Sequence, residues 1–332
     1  MIEGAPLVNI ADVVIDVIDL QYHETVMGMG GDLASQWLKD FVDYTPVASG
    51  TNPGDYPFVL VVEGALQDRT KGGAWGDTSN TDVPWCSIGH SDATTGLDKF
   101  EIDMAETVVE LAKKSTCAAI LPIGQCATYG GYPGAKPRLS ATAAKKGAGG
   151  FDPAMSQTGA KGVYEYLTTY SSLDEDAIAA AGKVINVPGC PPNPWWFVLT
   201  VVMVMADIVT PGSGLVLPPV VGQTLDYGRR AKKAYPIPVH SAYCPRYKYY
   251  TKGIYAAKPG QTGCLQKLGC KGLATNSLCG VHGWNTQQPQ NLAHGMDTID
   301  ANRGGHCTMA GHPCMACTEK GYPDSFVPFV KL

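Results

Sequence analysis

The stretch CAAILPIGQC, residues 117–126, is an uncharged and largely apolar run that stops at Gly124 and delivers Cys126. A short continuous run of this kind, bounded by a turn residue, reads as a strand buried on both faces, because a strand with one wet face would alternate. Two further runs match it. Residues 58–62, FVLVV, lie between Pro57 and Gly64, and residues 184–187, VINV, end in Pro188, Gly189 and Cys190. Helical patterns alternate with these runs. Ile10, Val13, Val14, Val17 and Ile18 form a stripe on a helix ending near Leu20, and Asp32 is placed to cap a helix over 33–42. A strong helix is expected over 99–114, with Phe100, Met104, Val108 and Leu111 on one face, and another over 159–170. Strands alternating with helices imply a parallel sheet covered on both faces, so the fold class is α/β with a flavodoxin-like layout. Two successive strands each finish in a glycine-containing turn and a cysteine. Ligands of open parallel sheets collect beyond the carboxyl ends of the strands, so Cys126 and Cys190 are expected to converge on one site.

At 332 residues the chain exceeds the usual size of a single core, and two domains are expected, 1–210 and 211–332. Beyond Pro211 prolines and glycines recur and periodicity fades, so the second domain should be largely irregular and depend on bound metal for order. The composition, 45% apolar and 17% charged, is that of a globular chain, and the low charge points to surface covered by a partner. A net charge of −5 gives no basic footprint for nucleic acid. The apolar run from Pro194 to Val209 is shorter than the ~20 residues a bilayer requires and contains Asp207, so it reads as a buried helix. No export signal is recognisable, since Asp12, Asp16 and Asp19 interrupt the first hydrophobic segment.

Of eleven cysteines, seven follow residue 240. A chain of this size needs no disulfide scaffold, and such clustering favours metal or redox chemistry. Cys307, Cys314 and Cys317, with Cys279 upstream, offer four thiolates, which suit either zinc or a cubane iron-sulfur cluster. His240, Cys244, Cys264 and Cys270 offer one imidazole and three thiolates with the same ambiguity. Cys126 and Cys190 make only half a site. Several metal centres in one chain without a substrate pocket make better sense as an electron wire than as zinc scaffolding.

At these residues the sequence resembles the small subunit of nickel-iron hydrogenases over almost its whole length. The matching segments are ADVVIDVIDLQYHETVM near the start, FVLVVEG at Phe58, IGQCATYGG around Cys126, VPGCPPNP around Cys190, CLQKLGCKG around Cys264 and Cys270, and GHPCMACTEKGYPD near the end. The resemblance implies electron transfer between an H2-activating nickel-iron site on a large subunit and an external acceptor, through three clusters expected to be of the 4Fe-4S type. It implies that Cys126 and Cys190 bind the proximal cluster, Cys279, Cys307, Cys314 and Cys317 the medial one, and His240, Cys244, Cys264 and Cys270 the distal, surface-facing one. No catalytic residue is expected on this chain. The family's N-terminal CxGC turn has no counterpart here, so the proximal set stands at two ligands and a longer natural N-terminus is expected. Many relatives carry proline where Cys307 stands and have a three-iron medial cluster; a thiol there favours four irons. The oxygen-tolerant type carries a cysteine where this sequence has Gly131. The distal pair is spaced HxxxC, one residue longer than the commonest form.

The resemblance further implies export as a folded pair, association with a membrane on its outer face, and a membrane acceptor such as a cytochrome b or quinone-reducing subunit. Cys86 and Cys117 match no ligand position; Cys117 reads as a small core residue, and a Cys86–Cys117 pair stays open. His23, Glu24 and Glu63 are assigned no chemistry, and His306 and His312 are expected to support the cluster ligands rather than coordinate. Trp195, Trp196 and Trp284 are candidates for the partner interface or the core. Two competing readings are a cluster-bearing subunit of another quinone-linked oxidoreductase and a non-enzymatic, zinc-stabilised interaction module.

Overall fold

The structure is a computed structural model and describes residues 18–23, 27–67, 85–89, 101–135, 159–169, 174–282 and 306–331. The stripe at Ile10 to Val17, Glu24, Phe100, Trp284 and most of the polar stretch 67–95 lie outside these residues. The chain groups into two compact units, one spanning Asp19–Asn186 and the other Met1–Ile18 with Val187–Leu332.

In the unit spanning Asp19–Asn186 the first helix, α1, is Gly31–Asp43. Its N-cap is Gly30 rather than Asp32, and Asp32 falls in the first turn. Gly31 takes a positive φ of 55°, which starts the helix two residues earlier than the side-chain capping signal indicates. Strand β1 is Phe58–Glu63. Two residues at each of Ser87–Ile88 (β2) and Ile102–Asp103 (β3) pair antiparallel. Helix α2, Met104–Lys113, therefore begins later than the periodicity of 99–114 predicts: Ile102 is held in the ladder, and Asp103 caps the helix by accepting from the amides of Ala105 and Glu106. Strand β4, Cys117–Ile123, runs parallel to β1 in the register Leu60↔Ile120 and Val61↔Leu121. A third parallel contact joins Ile120 to Val184, where the Ile185 amide donates to the Ile120 carbonyl at 2.8 Å. The expected third strand is thus reduced to bridge pairing among the described residues.

Helices α3 (Gly124–Tyr129), α4 (Val163–Thr169) and α5 (Glu175–Ala180) complete this unit. Its core joins Val108, Val109 and Ala112 of α2, Ile120 of β4, Val163, Tyr166 and Leu167 of α4, and Ala177 and Ala180 of α5. Lys183 closes the C-terminal end of α2, its ammonium donating to the carbonyls of Ala112 and Lys114 at 3.0 Å each. Central β4 is buried as expected, but Val61 of β1 is 44% exposed, and among the described residues β1 pairs only with β4. Cys117 sits inside this core with its thiol pushed up to about 11 by burial, while Cys86 is exposed, and no disulfide joins them.

The other unit opens with the turn 187–193 and helix α6, Pro194–Val209, for which Asn193 accepts from the Trp195 amide and Pro194 takes the first helical position. Trp196 is fully buried, its ring 5.3 Å from that of Tyr235, so it is a core residue. The Asp207 carboxylate gathers the amides of Leu215, Val216 and Leu217 and the Ser213 hydroxyl, turning the chain sharply after the helix. Among the described residues no helix is long and apolar enough to cross a membrane. From there regular structure gives way to turns and single helical turns such as α7 (Tyr247–Thr251) and α8 (Cys279–His282). One apolar cluster in this region is small: Ala256, Leu265 and Leu268, with Cys270 against it. Polar ties take over. Buried Arg230 pairs with Asp226 and Glu319 at 2.7 Å each and donates to the Thr318 carbonyl at 2.9 Å. Glu319 in turn accepts from the Asn276 amide at 2.6 Å.

Candidate metal centre

Three segments of this second unit converge on one cavity. Residues 237–240 pair with 272–277, the Val239 amide donating to Thr275 O at 2.8 Å and the Ser277 amide to Ile237 O at 3.0 Å. This carries Thr275, Ser277 and Cys279 to one wall. Residues 306–310 form a turn closed by the Ala310 amide on His306 O, and Arg246 anchors it by donating to Thr308 O at 2.6 Å while also holding the carbonyls of Gln261 and Gly263. The third wall is the turn Cys314–Cys317, in which Ala316 adopts φ 66°, a left-handed conformation that costs a residue with a Cβ about 1–2 kcal/mol. That twist aims the Ala316 amide at the Cys314 sulfur.

Cys279, Cys307, Cys314 and Cys317 all line the cavity, together with Val239, His306, Met315 and the hydroxyls of Thr275, Ser277 and Thr308. Burial first, and then the neighbouring sulfurs, push the Cys307 thiol up to about 11, Cys314 to about 12 and Cys317 well above the usual range. Crowded buried thiols with no counter-charge hold their protons, and a cationic centre among them is what would release these. Among the described residues no three Cys, His, Asp or Glu side chains close around one ion-sized point. A single zinc would need four sulfurs each about 2.3 Å from its centre, and four thiols are equally the ligand set of a cubane iron-sulfur cluster. Hydroxyls meet two of the sulfurs: Ser277 Oγ donates to Cys279 Sγ at 2.9 Å, and the Cys314 thiol donates to Thr275 Oγ1 at 3.6 Å.

A second group adjoins the first. Parallel pairing of Tyr255 with Cys264 sets one thiol, with the Cys264 amide donating to Ile254 O at 2.9 Å. Burial raises Cys264 and Cys270, and a charge on Cys244 would raise both further, which brings the three sulfurs into one neighbourhood. The His240 amide donates to Gly272 O at 3.0 Å, two residues from Cys270, and its ring meets the edges of Tyr247 and Tyr250 at 5.4 and 4.4 Å. Burial lowers the imidazole pKa, and His240 Nε2 is a buried nitrogen without a hydrogen-bond partner. A neutral ring with an unsatisfied buried nitrogen fits a metal ligand.

Hydrogen bonds thread the groups together. The Cys314 amide donates to Cys270 Sγ at 3.3 Å, the Cys190 amide donates to Cys317 Sγ, and Cys244 Sγ lies 3.5 Å from Thr308 Oγ1, itself 3.0 Å from His306 Nδ1. Cys190 belongs to this unit, in a turn where a Cβ at Gly189 would fall 2.5 Å from Pro192 Cα. Cys126 belongs to the first unit, in the opening turn of α3. Burial raises its thiol although the Tyr132 amide donates to it, and a Cβ at Gly131 would meet its sulfur at 2.9 Å. His306 stands beside the sulfurs with its pKa lowered by burial to about 4, and His312 Nδ1 donates to the Pro313 carbonyl at 2.7 Å. Sequence reasoning did not single out Thr275, Ser277 or Thr308. The only local signal is their placement, in TNSLC before Cys279 and immediately after Cys307.

Known proteins resemble this chain along most of its length. The family model described as NADH ubiquinone oxidoreductase, 20 Kd subunit, matches residues 6–204, and the model for the C-terminal part of the NiFe/NiFeSe hydrogenase small subunit matches residues 235–300. The periplasmic [NiFe] hydrogenase small subunit of Solidesulfovibrio fructosivorans is 31% identical over 323 residues, which is 95% of this chain and 72% of that one. The periplasmic [NiFeSe] hydrogenase small subunit of Desulfomicrobium baculatum is 27% identical over 321 residues, 97% and 79% of the two chains. Among solved structures, the recombinant [NiFeSe] hydrogenase of Desulfovibrio vulgaris Hildenborough superposes with a TM-score of 0.64 at 26% identity, covering 97% of this chain and 89% of that one.

Proposed function

Because the chain belongs to the nickel-iron hydrogenase small-subunit family, we propose that its cysteine groups form a three-station electron wire serving a nickel-iron large subunit. The reaction is the reversible oxidation of dihydrogen to two protons and two electrons, with bond breaking on the large subunit and conduction here. When bound, iron-sulfur clusters supply one-electron carriers whose potentials the surrounding protein sets. Cys279, Cys307, Cys314 and Cys317 would hold the medial cluster, His240, Cys244, Cys264 and Cys270 the distal one, and Cys126 and Cys190 part of the proximal one. In functional terms residues 1–210 supply the proximal ligands and 211–332 the other two sets. The single observation that carries this reading is that four cysteines, three of them buried, line one cavity, with a hydroxyl donor on Cys279 and an amide on each of Cys314 and Cys317.

Each residue's work follows from its chemistry. Ser277 and the amides of Ala316 and Cys190 place positive hydrogen-bond ends on sulfur, which favours the more negative, reduced state and raises the potential. Cys307 completes a four-thiol set and so favours four irons over three. Gly131 leaves no sulfur to add to Cys126, which argues against the special oxygen-tolerant proximal form. An acceptor in a membrane, such as a cytochrome b or quinone-reducing subunit, and a place on the outer membrane face after export complete the reading, in keeping with relatives that are periplasmic.

The match of residues 6–204 to a ubiquinone oxidoreductase subunit favours a second reading, a quinone-linked complex. The hydrogenase-specific match at 235–300 and the seven cysteines after residue 240 weigh against it. The test is metal, acid-labile sulfide and paramagnetic resonance analysis of the complex purified without oxygen. Matched iron and sulfide with signals that appear on reduction under H2 are expected; stoichiometric zinc without sulfide would refute the wire.

A further inference from the structure

Charge is distributed very unevenly along this acidic chain. Ten of its 25 basic residues and none of its 30 acidic ones lie between Asp226 and Asp297, leaving 15 basic against 30 acidic elsewhere. The segment so enriched is the one that bears His240, Cys244, Cys264 and Cys270. Not all of this charge is available: Arg230 is buried in its ion pairs, and Arg246 is committed to the carbonyls of Thr308, Gln261 and Gly263. Lys252, Lys258 and Lys267 are exposed, and no salt bridge among the described residues involves them. Lys252 directly follows α7, whose Tyr247 and Tyr250 pack on the His240 ring, and Lys267 lies three residues from both Cys264 and Cys270 with its ammonium 4.6 Å from the Tyr255 ring. Exposed Ile254 and Leu273 add apolar contact points among the lysines.

We infer that, besides the membrane acceptor, the exit serves a second, soluble one: this surface is the docking site for the acidic face of a small, one-electron carrier protein. The inference rests on the reading of His240, Cys244, Cys264 and Cys270 as the distal, electron-exit station. A basic surface concentrated on that station attracts an acidic partner from solution and orients its redox centre toward the exit, which raises the encounter rate and makes it sensitive to salt. Each docked carrier takes one electron, so two carriers are reduced for each dihydrogen oxidised to two protons. An anionic membrane surface would answer to the same lysines, but it carries no redox centre to place at the exit.

The test uses the whole heteromeric complex with H2 as reductant and three acceptors: an acidic ferredoxin-type protein, a basic cytochrome and a small uncharged benzoquinone. Reduction of the acidic protein is expected to fall at least about tenfold between roughly 20 and 300 mM salt, and by a similar factor at low salt in the triple variant Lys252→Glu, Lys258→Glu, Lys267→Glu. Benzoquinone reduction should change in neither case. Indifference of the acidic carrier to salt and to charge reversal would overturn the inference, as would faster reduction of the basic cytochrome. So would loss of the large subunit from the purified variant, which would make the patch a subunit interface, or loss of binding to phosphatidylserine vesicles with carrier reduction intact, which would make it a membrane contact. If the unaltered complex failed to reduce even benzoquinone and showed no cluster signals, the wire itself would fall, and this inference with it.

Discussion

Thr308→Val removes one hydroxyl and almost no volume from the place where the proposed medial and distal ligand sets meet. Thr308 is 2% exposed, and its Oγ1 stands 3.5 Å from Cys244 Sγ and 3.0 Å from His306 Nδ1. A metal-bound thiolate only accepts, so the hydroxyl donates to sulfur and receives the Nδ1 proton of a neutral His306. That hydrogen bond favours the reduced, more negative sulfur. A bond to a charged acceptor is worth about 1.5–3 kcal/mol, and the part that differs between redox states at this sulfur distance is on the order of 0.5–1.5 kcal/mol. At 59 mV per factor of ten in a one-electron equilibrium, the distal potential should drop by roughly 20–65 mV. Redox titration followed by paramagnetic resonance reads the shift directly, and Thr308→Ser, which keeps the donor, should stay within about 10 mV of the parent. An unchanged or raised potential in the valine variant, with the distal signal otherwise intact, would refute the reasoning.

Three further outcomes follow from the same geometry. His240→Cys exchanges an imidazole for a thiolate and should lower the distal potential, since histidine in place of cysteine raises it in other clusters; a rise in the titrated midpoint would argue against His240 as a ligand. Arg230→Met leaves Asp226 and Glu319 facing each other without their cation, and chemical denaturation should show a loss of about 3–5 kcal/mol together with reduced iron retention. Burial alone would raise the Asp207 carboxyl, yet the amides of Leu217, Leu215 and Val216 with the Ser213 hydroxyl outweigh it and bring the value from 3.8 down to about 2. A depressed folded-state pKa gives stability that is complete above pH 3.8 and lost as pH falls through 2, about 2 kcal/mol in all. Asp207→Asn should therefore cost at least that much in urea titration, equally at pH 7 and pH 5; a cost that shrinks by pH 5 would contradict the assignment.

Local signals located the regular elements well where burial is continuous. Residues 117–123 and 194–209 are strand and helix as their patterns require, because a parallel strand or a buried helix leaves an unbroken apolar run and Asn193-Pro194 marks a start. Boundaries failed where a neighbour competed. Ile102 pairs with Ile88 instead of entering α2, and α1 starts at glycine ahead of Asp32. The charge asymmetry was present in the sequence but hidden inside a modest net charge, which averages a basic segment with an acidic remainder.

For the site, the sequence by itself determined the inventory of donors, because cysteine spacing and motif order are properties of the chain alone. What surrounds those donors only the tertiary structure decided. Thr308 meets Cys244 across 64 positions and the Cys314 amide meets Cys270 across 44, contacts that no periodicity encodes. A hydrogen bond requires its two groups within about 3–4 Å at a defined angle, and between segments so far apart that is set by how the intervening turns, Arg230 and Arg246 fold the chain back on itself.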